Sequence, residues 1–138
     1  MISEKIDNEE EIQVLYNNCY GSWKISSLAK KLYISRKMKN KSNDIYKYLS
    51  KRNDPILIQI YKELGKEFDE KNSKTMIQKI PKKYENYYYI DEYDGLESVQ
   101  IAYSNYELDN LKKNIKEILE NNSIDNDEKI NEIKKIVI

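Results

Sequence analysis

The dipeptide Asp94-Gly95 most constrains the fold, because it joins two alternating runs, Tyr87 to Tyr93 and Leu96 to Tyr103. A two-residue loop of that composition favours the hairpin turn whose backbone twist matches the flanking strands. The turn fixes the register: Tyr93 faces Leu96, Glu92 faces Glu97, Ile90 faces Val99 and Tyr88 faces Ile101. One hairpin face is thus apolar until it ends in two opposed glutamates. Like charges directly across a strand pair are destabilising, so a cation is expected beside them. Arg52 is the expected partner, with a divalent ion as the alternative. The same carboxylates would serve as an acid and a base if one were buried; in the structural reading both reach into water.

Upstream, Glu11 to Tyr33 reads as strand, loop and helix. Ile12, Val14 and Tyr16 alternate with Gln13 and Leu15, and Ser26 or Ser27 caps a helix with Ile25, Leu28, Ala29 and Leu32 on its inner face. A second helix starts at Asp54-Pro55, an aspartate cap followed by proline at the first helical position. Its face is Leu57, Ile60, Tyr61, Leu64 and Phe68, and Gly65 either ends it or is tolerated for close packing. Thr75 to Ile80 reads as a strand stopped by Pro81. Ser104-x-x-Glu107 is a capping box for a helix burying Leu108, Leu111, Ile115, Ile118 and Leu119, and Asn121-Asn122 ends it. Ser123 or Asp125 caps a last helix with Ile130, Ile133, Ile136 and Val137 inward. The expectation is a small α+β sandwich in the order β-α-α-β-β-α-α: a flexible tail over 1–10, one domain over 11–122, and a helix over 123–138 packed on it.

Composition excludes much chemistry. The chain has no histidine, so Ser-His-Asp and Cys-His mechanisms and histidine-ligated metals are closed to a single chain. Cys19 is the only cysteine, which rules out an intrachain disulfide and a multi-thiolate metal site and is compatible with a reducing compartment. Twenty-four basic and twenty-four acidic residues cancel, so no global field recruits nucleic acid or an anionic membrane. Ser35 to Arg52 is locally basic, with Arg36, Lys37, Lys39, Lys41, Lys47, Lys51 and Arg52 against Asp44, and reads as a solvated loop or a place for a polyanion to touch. The acidic start, MISEKIDNEEE, resembles neither a secretory nor a transit signal, and no apolar run reaches membrane-spanning length. Host cytoplasm or virion is the expected location. Abundant Ile, Asn, Lys and Tyr point to AT-rich coding DNA.

The loop Asn17, Asn18, Cys19, Tyr20, Gly21, Ser22 and Trp23 is the leading candidate site. Its amides, its glycine and the start of the next helix suit an anion or a polar ring, with Tyr20 or Trp23 stacking on it. The spacing fits neither phosphate-loop nor dinucleotide fingerprints, and the same residues also make ordinary connecting loops. Cys19 would be a nucleophile only with a base that the chain does not visibly supply; a small buried thiol is the structural reading. Tyr84, Tyr87, Tyr88 and Tyr89 offer a stacking platform or a partner surface, although alternation divides them between two sheet faces.

Several segments together, VLYNNCYGSWKIS, KRNDPILIQIYKELGKEF, IQKIP and YYYIDEYDGLESV, resemble a family of small uncharacterised proteins of tailed bacteriophages and large nucleocytoplasmic DNA viruses. The family pattern runs roughly N-x-C-Y-G-G-[FW]-x-[LI]-S, R-x-D-P, E-L-G, E-I-P and E-Y-D-G-x-E, and spans about Val14 to Tyr103. Ser22 departs from it, standing where the family has a second glycine. The resemblance implies a viral origin and carries no activity. It links Asn18, Cys19, Tyr20, Gly21, Ser26, Arg52, Asp54, Glu92, Asp94 and Glu97, mostly polar loop and strand-end residues, into one shared polar site.

The expected function is a non-enzymatic module binding a small polar or anionic, nucleotide-like ligand between the Asn17 to Trp23 loop, Arg52 and the Glu92/Glu97 hairpin tip. No cofactor, metal site or catalytic group is assigned. The alternative is a structural or host-interaction protein acting through self-association or a protein partner; a magnesium-dependent hydrolase or transferase using Glu92, Glu97 or Asp94 stands third. Sequence-specific DNA binding ranks last, for want of a basic recognition helix.

Overall fold

A computed structural model of the chain describes residues 9–37 and 45–137. It divides into two compact units, one ending at Ile101 and one spanning Ala102–Ile138. The expected tail falls mostly on residues 1–8, and Lys39, Lys41 and Asp44 of the basic segment fall on 38–44; both lie outside the described residues.

The chain is α+β. In the first unit, β1 (Glu11–Asn17) is followed by α1 (Ser27–Lys37), the short α2 (Ile45–Leu49) and α3 (Pro55–Leu64), then β2 (Thr75–Pro81), β3 (Tyr88–Tyr93) and β4 (Leu96–Ile101). β1 pairs antiparallel with β2 and β3 with β4, giving two two-stranded sheets. To the expected order the structure adds α2 and resolves the hairpin into its two strands. The hairpin register is the expected one, with Glu92 opposite Glu97 and Tyr88 opposite Ile101. Asp94 and Gly95 both have positive φ, 53° and 91°, as the two-residue turn requires.

α3 begins as its sequence predicts. The Asp54 carboxylate accepts the Ile56 N–H at 3.0 Å, Pro55 occupies the first turn, and the Gly65 N–H closes the helix on Tyr61 O. A 3-10 turn over Gly65–Phe68 follows and places Phe68 in the core, edge-on to Tyr61 with ring centroids 5.3 Å apart. Ser26 caps α1, its Oγ accepting the Ala29 N–H at 3.1 Å. Within α1 the buried residues are Ala29 and Tyr33, and Ile25 is buried two residues before the helix; Leu28, expected inside, is exposed. Positions 29 and 33 are four apart and share the face turned to the core, and residue 28 lies about 100° round the helix from residue 29. Tyr33 is buried because its hydroxyl finds a partner in Asp54. The core gathers Leu15, Ile25, Ala29, Tyr33, Leu57, Ile60 and Phe68.

The second unit is a helical pair, α4 (Tyr103–Glu120) and α5 (Asn126–Val137). The boundary thus follows Ile101 instead of residue 122. The expected capping box does not form: α4 starts one residue before Ser104, with Ala102 at the N-cap and no side-chain cap bond. β4 ends at Ile101, so the chain enters the helix before Ser104 can take the capping position. Asp125 caps α5, accepting the Glu128 N–H at 2.9 Å. Neither helix has a buried residue, so the apolar row expected to be buried from Leu108 to Leu119 is half-exposed or exposed.

Candidate functional site

Asn17 ends β1 and is fully buried. Its side-chain Nδ2 reaches the carbonyl oxygens of Cys19, Gly21 and Gly95 at 2.9–3.0 Å, and its Oδ1 accepts the Lys74 N–H at 2.8 Å. One amide thereby ties its own loop to the start of β2 and to the hairpin turn. Such a residue holds a fold point together by satisfying main-chain groups that would otherwise be buried without partners.

The expected approach of loop and hairpin is present. The Gly21 N–H donates to Asp94 O at 3.0 Å, and the two glycine backbones pack so closely that a Cβ on Gly95 would lie 1.8 Å from Gly21 O. Glycine is required there because backbone meets backbone.

Arg52 is the cation beside the hairpin carboxylates, and of the two it pairs with Glu97. Nη1 and Nη2 bind Oε1 and Oε2 at 2.7 and 2.9 Å in a bidentate pair, with side chains only 12% and 8% exposed. Glu97 Oε1 also accepts the Asn17 N–H at 2.7 Å, and the Arg52 guanidinium lies 3.8 Å from the Trp23 ring centroid. Glu92 turns back to accept the N–H of Gly95 at the tip. The like charges opposed in register are separated by giving each its own donors.

The remaining predicted residues divide. Asn18 extends the β1–β2 ladder, its N–H donating to Lys74 O at 2.7 Å. Cys19 is partly exposed, with its thiol directed at Tyr20 O, and Tyr20 projects into solvent. Ser26 is occupied in capping and in a 2.7 Å bond to Glu67 O. Asp54 lies in a separate network with Tyr33 and Lys37, which bind its Oδ2 at 2.5 and 3.1 Å. Burial disfavours the Asp54 carboxylate, yet the Tyr33, Lys37 and Ile56 donors outweigh it and hold the group below the usual carboxylate range. Burial, helped by the neighbouring carboxylate, pushes the Tyr33 hydroxyl well above the ordinary tyrosine range.

Sequence reasoning missed a second chain of bonds. Trp23 Nε1 donates to Thr75 Oγ1 at 2.8 Å, and Thr75 donates in turn to Asp69, which also accepts the Thr75 N–H. Thr75 and Asp69 carry no local motif, since the pairing depends on the turn from Asp69 to Lys74 bringing them together.

The Trp23–Arg52 stack is a wall common to two depressions. One, of about 230 Å3, is lined by Ser22, Trp23, Arg52, Glu92, Gly95 and Glu97. The other, of about 450 Å3, is lined by Trp23, Lys24, Ile25, Lys30, Leu49, Ser50, Arg52 and Glu70. The first is acidic once Arg52 is neutralised by Glu97, and the second carries two lysines against one glutamate. Among the described residues no group of three or more Asp, Glu, His or Cys converges as a metal site, and no helix is long and apolar enough to cross a membrane. Set beside known proteins, the chain matches no protein-family model, no curated protein and no solved structure.

Proposed function

We propose that this protein is a non-enzymatic module that binds a small anionic ligand in the cleft beside Trp23. The observation that carries the reading is the lining of that cleft: Lys24 and Lys30 beside an indole wall held rigid by Arg52 on its face and Thr75 on its nitrogen. The hairpin-tip notch is a poorer place for an anion, because Glu92 and Glu97 line it and Arg52 is already engaged. Segment resemblance alone supports taking the protein as an accessory product of a phage or large DNA virus.

Trp23 is the only tryptophan and lines the cleft, so its emission reports on binding at that wall, and the lysines assign the binding to the cleft. Titration with inorganic pyrophosphate and with ADP should change that emission saturably, and Lys24→Glu together with Lys30→Glu should abolish the change while leaving the fold intact by circular dichroism. An unchanged emission at millimolar probe overturns the reading. Native mass spectrometry of gently purified protein, against the acid-denatured sample, would identify a ligand carried through purification.

A second reading, action through self-association or a protein partner, is favoured by the apolar rows of α4 and α5, which contain no buried residue. The magnesium-dependent reading lacks a converging ligand set among the described residues.

A further inference from the structure

β1 has one edge bonded to β2 and one turned away from it. Leu15 shows which residues face outward: its N–H donates to Arg52 O at 2.9 Å and its C=O accepts from Arg52 Nη1 at 3.4 Å. The outward N–H of Asn17 meets Glu97. Main-chain groups alternate along a strand with a period of two, so Gln13 and Glu11 present their N–H and C=O on the same outward side. The even residues face β2, and Glu10 O, accepting the Lys82 N–H at 2.8 Å, continues that ladder.

The cover given to residues 15 and 17 stops there. After Arg52 the chain turns away through the Asp54 cap into α3, and beside Glu11 and Gln13 the edge borders a cleft of about 510 Å3. Asn53, Ile58, Lys62 and Lys79 are among the residues that line it. Both lysines are exposed, and neither is in an ion pair among the described residues.

We propose that this edge receives an extended acidic segment of a partner protein, which pairs with Glu11 to Gln13 as a third strand of the β1–β2 sheet. The segment would continue the line of main-chain bonds that Arg52 begins at Leu15, which is the geometry of strand addition. Lys62 and Lys79 outnumber Glu11 along the cleft, so the partner's polar side chains are carboxylates. This surface is independent of the Trp23 cleft, with which it shares no lining residue.

The test is a titration of the isotope-labelled full chain with a capped Glu-Val-Glu-Val-Glu-Val peptide, followed by amide NMR. The Gln13 amide should shift and exchange more slowly, with Trp23 emission unchanged. Lys62→Glu combined with Lys79→Glu should weaken binding by about tenfold or more, and Gln13→Pro should abolish it where Gln13→Ala does not. Equal binding of the Lys-Val counterpart, shifts confined to other residues, or no shift at millimolar peptide would each overturn the proposal. A Gln13 shift that grows with protein concentration and needs no peptide would assign the edge to a second copy of this chain and overturn it as well.

Discussion

Glu97 shows how much one carboxylate can hold. It neutralises Arg52, accepts the last outward N–H of β1, and sits on the hairpin whose turn packs against Gly21. Replacing it with alanine leaves a buried guanidinium with no counter-charge, which costs about 3–5 kcal/mol. Glu97→Ala should therefore lower the urea midpoint sharply. Arg52→Met with Glu97→Leu should recover most of that loss, because both charges leave together. Arg52→Ala is a fold mutation as much as a ligand test. Gly95→Ala should be as damaging, since its Cβ would enter the Gly21 backbone, whereas Asp94→Asn, which keeps a residue tolerant of positive φ, should move the midpoint little. The opposed glutamates and their need for a cation were legible from register alone. That Arg52 pairs with Glu97 of the two was not, because the outcome depends on where the edge of β1 lies.

At the level of elements, the α3 cap couples local structure to pH. The Asp54 carboxyl is held below its ordinary value, so its stabilisation is complete above about pH 4 and is lost as pH falls through the lowered folded value. Tyr33 works at the other end: its raised folded value gives stability that is complete below about pH 10 and is lost as pH rises further. Urea midpoints measured across pH should form a plateau with an acid and an alkaline limb. Asp54→Asn, which can still cap α3, should shrink the acid limb, and Tyr33→Phe the alkaline one. The start of α3 could be read from Asp-Pro because that signal is local. The start of α4 could not, since Ser104-x-x-Glu107 forms a box only if the helix begins after Ser104, and the chain is already helical at Tyr103.

On the scale of the whole molecule, an apolar row reads as a buried face in sequence whether or not anything covers it, which is why the α4 and α5 rows carried an expectation of burial that the structure does not meet. The first unit has its own core. The helical pair from Ala102 has no buried residue, and a segment of that size cannot remove enough apolar surface from water to hold its hydrogen bonds strongly by itself. Amide exchange at low protein concentration should be fast along α4 and α5 and slow along β1 and α3. Raising the concentration separates the two functional readings. If the helical pair associates with its copies, protection from Leu108 to Ile118 rises with concentration in step with a dimer seen by light scattering. If the protein acts alone as a ligand module, protection in those helices stays constant and responds only in the first unit, around Trp23, when pyrophosphate is added.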